Sequence, residues 1–291
     1  MHPAPSLIAF TVLSGLGFGL MAWLGLDATP PTGWVAFAFY AIAFGCALAG
    51  LASSTRHLGR PERALKAFTQ WRSSWLSREA WLACAALVVN GLQAAGLVFL
   101  GQGHPVLGAL GAGLALATVG ATAMIYTQLK TVPRWHHWST PLVFLAYAVT
   151  GGALLSGRVQ IAMVLLLASG VVQVVWWLAA DSRVQRSPST ASTATGLAQP
   201  RVFAPPHTGE NYLTREMMFV VARRHADKLR VIAVVLAAVV PALALLAPYP
   251  HVFGLLAVLS HLAGVCTSRW LFFAEAEHVV GLYYGARTAQ A

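Results

Sequence analysis

Long apolar segments alternate with short polar links along the whole chain. Segments such as 105–129 and 161–178 carry no formal charge. About 20 such residues in a helix, rising 1.5 Å each, cross a hydrocarbon core of ~30 Å. Lipid offers no hydrogen bonds, so each segment must satisfy its own backbone as a helix. The pattern predicts eight transmembrane helices, at about 6–27, 34–55, 79–101, 105–129, 140–157, 160–180, 229–248 and 251–274.

The links between these segments fall into two kinds. Four links are short and contain Gly or Pro, as expected of turns between antiparallel neighbouring helices. The other three are longer and basic, and the longest contains a Ser/Thr/Ala/Pro-rich stretch, Ser187–Pro206, followed by a candidate interfacial helix, Glu210–Asp227. We therefore expect one all-α transmembrane domain over 1–291, with an excursion into the cytoplasm at about 181–228.

The positive charges are segregated to one side of the predicted membrane. All of the 19 Lys and Arg residues except Arg158 fall at the termini or in the second, fourth and sixth links. Since basic loops stay in the cytoplasm, both termini are expected there. The net charge of +10 is thus explained by membrane topology, and no nucleic-acid partner is expected.

The sequence lacks the ligand patterns of a bound metal or haem. Cys46, Cys84 and Cys266 are scattered and form no CxxC pair. His261 lies about midway along the last predicted span, and no other span offers a histidine at matching depth for a haem. The sequence therefore predicts no metal or haem centre held by this chain alone.

Two titratable residues flank the second link. His57 ends the second predicted span and Glu79 opens the third, so antiparallel packing places them at similar depth. A histidine and a carboxylate there can bond a carbonyl or hydroxyl and move protons. The alternative is that His57 reaches towards the interface and Glu79 only complements the helix dipole.

Three segments resemble one known family. They are His57-Leu58-Gly59-Arg60-Pro61, Ser77-Arg78-Glu79 and Thr131-Val132-Pro133-Arg134-Trp135. They are similar to the membrane anchor subunit of DMSO reductase and its relatives, a wider group of eight-helix subunits that includes polysulfide-reductase-type and sulfite dehydrogenase anchors.

The resemblance implies a multi-pass protein of the bacterial inner membrane without haem or metal. Such a subunit exchanges electrons between a quinone, menaquinone or ubiquinone, and a four-cluster iron–sulfur protein. That protein serves a molybdopterin catalytic subunit, where the substrate chemistry takes place. The resemblance also implies that His57 and Glu79 take part in quinol binding.

Other basic residues have functional and structural interpretations. Arg269, near the cytoplasmic end of the last predicted span, is a donor to a quinone oxygen, a partner for Glu79, or an interfacial anchor beside Trp270. A second set forms a docking surface for the iron–sulfur partner, or else sets topology, contacts anionic lipid or is solvated. Its members are Arg60, Arg63, Arg72, Arg134, His136 and His137.

Two other functions fit the same pattern of helices. One is a proton-coupled transporter of small solutes, disfavoured because the titratable residues lie at one end and not at the midplane. The other is a passive anchor without a quinone site. The substrate of the partner, sulfite or an S- or N-oxide, and the direction of electron flow stay open.

Overall fold

All regular structure in the described part of the chain is helical. The computed structural model describes residues 1–56, 60–198, 200, 203, 208–209, 225–248 and 250–284. The helices are α1 Pro5–Gly25, α2 Gly33–Thr55, α3 Trp75–Phe99, α4 Pro105–Thr127, α5 Ser139–Leu155, α6 Val159–Gln185, α7 Ala191–Thr195, α8 Ala226–Val234, α9 Val240–Ala244 and α10 Pro250–Ala274. A π-helical segment, Val235–Val239, joins α8 to α9, and short 3₁₀ segments cover Pro61–Phe68 and Val279–Tyr284.

The predicted spans correspond to these helices, with differences in length at several of them. Within the described residues, α1, α2, α3, α4, α6 and α10 are long and apolar enough to cross a membrane. The fifth predicted span is the shorter apolar helix α5, and the seventh is the run of α8, the π-helical segment and α9. The all-helical fold is confirmed, and the third span begins at Trp75, before the predicted start at 79.

Helix α1 packs against three neighbours through small residues. A Cβ atom on Gly17 would collide with the α2 backbone at Ala43 and Ala47. One on Gly19 would collide with the α5 backbone at Ala148, and one on Gly25 with Gly108 of α4. Helices in lipid are not driven together by the hydrophobic effect. Van der Waals contact between closely packed backbones holds them together instead. The glycines of α1 therefore fix the centre of the bundle.

Pro241 interrupts the helical run Ala226–Ala244, and a histidine of α10 bonds a carbonyl next to the interruption. Pro241 has no N–H, so the carbonyl of Ala237, four residues earlier, loses its usual helical donor. His261 of α10 supplies one, because its Nδ1 lies 2.7 Å from that oxygen. Ser260 donates to the carbonyl of Leu236 at 2.8 Å. The midspan histidine thus joins α10 to the interrupted helix.

Four charged residues join separate elements at one end of the bundle. Arg134 lies between α4 and α5, Asp181 on α6, Arg230 on α8, and Glu275 directly after α10. Arg230 donates to both oxygens of Asp181, at 2.8 and 2.9 Å, and also bonds Glu275 at 2.7 Å. Arg134 pairs with Asp181 at 2.7 Å. We call these four residues the ion cluster.

The same end of the bundle holds the N-terminus, and we call it the basic end. The ammonium of Met1 donates to the carbonyl of Ala276 at 2.6 Å, directly beyond α10. At the opposite end Arg158 pairs with Asp27 at 2.6 Å and lies over the ring of Trp23. Arg158 is the one basic residue predicted for the side of the membrane opposite the basic end, and Asp27 neutralises it.

Replacing Gly19 by Ala should destabilise the bundle, because the added methyl group collides with the backbone of α5. Overpacking of this kind costs about 1–3 kcal/mol. Gly45→Ala is the matched control, since a Cβ there meets nothing within 4 Å. Thermal unfolding in detergent should show a lower midpoint for the first variant only. Equal midpoints for both would contradict the close approach of α1 and α5.

Replacing Arg230 by Gln should also lower stability, because Asp181 and Glu275 are then left with Arg134 as the one cation of the ion cluster. We expect a loss of about 1–3 kcal/mol, below that of a fully buried pair because the cluster is partly exposed. Arg186→Gln, at an exposed position beyond α6, is the control. Denaturant titration of both variants measures the difference, and an unchanged Arg230→Gln protein would show that the cluster contributes nothing.

Candidate functional site

Glu79 is a buried acid on the second turn of α3. Its side chain lies inside the bundle and is only 4% exposed. The hydroxyl of Thr122, on α4, donates to its carboxyl group. Within the described ranges, no basic side chain forms an ion pair with it. The carboxyl is thus oriented between α3 and α4, and no cation of the described chain neutralises it.

The preceding link holds the first turns of α3 in place. The hydroxyl of Ser77 donates to the carbonyl of Ala67 and accepts from the backbone N–H of Gln70 at 3.1 Å. Arg78 donates to the carbonyls of Trp71 and Arg72, at 3.0 and 2.7 Å. These bonds fix the turn that carries Glu79. The segment 61–74 therefore serves as a scaffold for the acid.

Arg269 is a buried cation on α10. It is 2% exposed, and its guanidinium carbon lies 3.5 Å from the centre of the Phe144 ring. Tyr147 and Phe272 also present their rings to it, at 5.7 and 5.9 Å. Its Nε has no hydrogen-bond partner, and no carboxylate of the described chain pairs with it. Aromatic faces offset only part of the cost of burying such a charge.

An aromatic cluster lies against the cation and next to the residue that bonds the acid. Tyr126 lies one turn beyond Thr122 on α4, and its ring contacts Phe144, over which the Arg269 guanidinium lies. Its ring stacks on Phe144 at 5.8 Å and meets the edges of neighbouring rings on the other sides. Those rings are Trp135, Phe272 and Phe273. Glu79 and Arg269 therefore form no ion pair with each other, although one was considered from the sequence.

Sequence reasoning missed three polar residues of this region. Thr122 and Tyr126 are four residues apart on α4 and therefore lie on the same helix face. This spacing in the sequence indicates one polar face in an otherwise apolar helix. Tyr147 lies with Thr11, His261 and Arg269 around a cavity of about 20 Å³, which has room for one water molecule. The Tyr147 hydroxyl has no hydrogen-bond partner in the described chain.

The remaining predicted residues lie in different surroundings. His57 falls outside the described residues, so its pairing with Glu79 stays a prediction. Arg60, Arg63 and Arg72 are exposed on the link before α3. Arg134, by contrast, is 8% exposed and belongs to the ion cluster.

The two link histidines are bonded locally. Nδ1 of His136 lies 2.7 Å from the carbonyl of Thr127, and Nδ1 of His137 lies 2.7 Å from the hydroxyl of Ser139. Partial burial, helped by the nearby charge of Arg183, lowers the pKa of His137. The neutral form of His137 is therefore favoured. In the described ranges no group of three or more His, Cys, Asp or Glu could hold a metal ion.

Comparisons with known proteins agree on one family. The sequence profile of the DMSO reductase anchor subunit (DmsC) family matches residues 1–285. The chain is 31% identical over 326 aligned positions to a sulfite dehydrogenase subunit of Allochromatium vinosum, covering 98% of this chain and 99% of that protein. No solved structure matches the chain.

The match extends over almost the whole length of both proteins. It agrees with the resemblance seen in the three sequence segments and with the apolar helical bundle of the structure. The chain is a multi-pass membrane protein and belongs to the DMSO reductase anchor subunit family.

Proposed function

We propose that this chain exchanges electrons between a membrane quinone and a docked iron–sulfur subunit, with the quinone bound near His57, Glu79 and Arg269. The observation that carries the proposal is that Glu79 and Arg269 are buried without neutralising each other. Unpaired buried charges cost several kcal/mol and are typical of functional sites. A ligand with hydrogen-bonding oxygens would compensate both groups.

The side chains match the chemistry of a quinone, which takes up two electrons and two protons when it is reduced. Arg269 is always protonated and can donate to a ring oxygen. Glu79 can accept or release a proton while Thr122 holds its carboxyl group in place. His57, expected at similar depth, supplies a second group that titrates near neutral pH. No metal or haem in this chain is needed for these steps.

We further propose eight spans, both termini in the cytoplasm of a bacterial inner membrane, and one domain over 1–291 with an excursion at about 181–228. The bond from Met1 to Ala276 supports an even number of crossings, because it brings the N-terminus beside the end of α10. The helices long enough to span, together with α5 and the run Ala226–Ala244, make up the eight.

The partners proposed are a four-cluster iron–sulfur subunit and a molybdopterin catalytic subunit, and no nucleic acid. The similarity to a sulfite dehydrogenase subunit supports an oxidoreductase complex of this kind. The exposed Arg60, Arg63 and Arg72 are suited to an acidic protein surface, and His136 and His137 lie at the same end. Arg134 is held by the ion cluster, so its part in docking is to position the link between α4 and α5.

Replacing Glu79 by Gln should keep the bond from Thr122 but remove the proton acceptor. Loss of a general acid or base costs about 10²–10⁴-fold in rate. We expect quinol-coupled turnover of the purified complex to fall by that factor. Turnover driven by an artificial electron donor, which bypasses this chain, should not change. Exposed Glu62→Gln is the control, and full quinol-coupled turnover in Glu79→Gln would refute the site.

Reversing the charges of Arg60 and Arg63 together, by substitution with Glu, should weaken docking of the iron–sulfur subunit. Charge reversal on an electrostatic surface lowers affinity by about tenfold or more and makes it less sensitive to salt. Co-purification across a salt series measures the effect. Arg186→Glu provides an exposed control at the same end of the bundle. Unchanged retention of the partner would show that it docks elsewhere.

A further inference from the structure

A small cavity lies inside the bundle between α1, α5 and α10. Its volume of about 20 Å³ is enough for one water molecule. Its polar lining residues are Thr11 of α1, Tyr147 of α5, and His261 and Arg269 of α10. We call it the interhelical cavity. Each of these four side chains belongs to a residue that is at most 5% exposed, so the polar groups are enclosed by the protein.

Two residues that line the interhelical cavity have protons to donate. The hydroxyl of Tyr147 has no hydrogen-bond partner in the described chain, and neither has Nε of Arg269. A guanidinium has five N–H donors, and the aromatic rings of Phe144 and Tyr147 beside it offer no conventional acceptor. A buried donor without an acceptor is costly, above all on a charged group. These donors therefore need an acceptor within the cavity.

Two other lining residues can accept hydrogen bonds. Nδ1 of His261 lies 2.7 Å from the carbonyl of Ala237, so the proton of a neutral ring is on Nδ1. Nε2 then has a lone pair that can accept. The hydroxyl of Thr11 donates to the carbonyl of Leu7 at 2.9 Å, and its oxygen keeps lone pairs as well. Donors and acceptors around one small space suit a ligand that can both accept and donate.

Water matches both the size and the polarity of the interhelical cavity. A buried water molecule makes about three hydrogen bonds, and it accepts as well as donates. A halide ion of similar size accepts from the two donors but has no proton for the nitrogen of His261. A quinone ring or a lipid chain is several times larger than the cavity.

We propose that the interhelical cavity binds one water molecule, which accepts from Arg269 and Tyr147 and donates to Nε2 of His261. Arg269 follows His261 by about two turns of α10, and long helical side chains lean back towards the start of their helix. The guanidinium therefore reaches towards the histidine. The water holds one N–H group of the guanidinium in place and leaves the others for a quinone oxygen. This water site stands whether or not a quinone binds.

The first test is X-ray radiolytic footprinting of the full chain in detergent, with its co-purifying subunits. Hydroxyl radicals formed from a bound water oxidise the aromatic side chain beside it, and mass spectrometry measures the rate. Tyr40 of α2 is the matched control, because it is 3% exposed, its hydroxyl also lacks a partner in the described chain, and it does not line the cavity. We expect Tyr147 to be oxidised severalfold faster than Tyr40. Equally slow oxidation of both would overturn the proposal and indicate a dry cavity or a bound halide ion.

The second test fills the interhelical cavity with a methyl group. Gly15 of α1 lines the cavity, and a Cβ atom there has Cβ of Ala148, 3.9 Å away, as its nearest neighbour. Gly15→Ala thus adds no collision but takes the space of the water. Gly113→Ala is the control for the same exchange within a helix, since a Cβ there meets nothing within 4 Å. Filling a dry void stabilises a protein, whereas displacing a bound water destabilises it.

We expect the thermal midpoint of Gly15→Ala to lie a few degrees below that of Gly113→Ala, and oxidation of Tyr147 in Gly15→Ala to slow to the rate of Tyr40. A midpoint of Gly15→Ala equal to or above that of Gly113→Ala would overturn the proposal. So would fast oxidation of Tyr147 that persists in Gly15→Ala. If Gly15→Ala does not assemble, the comparison of Tyr147 with Tyr40 in the wild-type chain decides alone.

Discussion

Polar groups inside a bundle surrounded by lipid must find their partners within the protein, and most buried groups in this chain do so. Thr11, Thr118 and Thr127 donate back to carbonyls of their own helices. His261 takes over the carbonyl that Pro241 leaves without its donor. The ion cluster neutralises its members across separate elements. Against this background a buried charge that meets no opposite charge in the described chain is a signal, because ionisable groups inside a membrane bundle are costly and are usually functional.

Glu79 and Arg269 give that signal. Each is almost completely buried, and neither meets an opposite charge in the described chain. The ring of Phe144 lies against Arg269, and the hydroxyl of Thr122 bonds Glu79, although both residues lie on helices that reach the basic end. Arg269 can donate hydrogen bonds and Glu79 can accept or release a proton, so the two groups suit a small molecule with oxygen atoms at both ends. A membrane quinone is such a molecule.

Periodicity along the sequence predicted the helices well, because the length and apolar character of a span are local properties. Glu79 could also be proposed from its place at a helix start. The environment of Arg134 could not, since its carboxylate partners Asp181 and Glu275 are remote in sequence. Nor could the burial of Arg269, which depends on rings from α5. Such long-range contacts follow from how helices pack, which spacing within one segment does not encode.

The most direct measurement is an experimental structure of the chain with its partner subunits and a quinone at saturating concentration. A quinone site at Glu79 predicts ring density inside the basic end, with a quinone oxygen within hydrogen-bond distance, about 3 Å, of the Glu79 carboxyl. Density for the quinone only at the outer, lipid-facing surface, with Glu79 still bonded to Thr122 alone, would contradict that site.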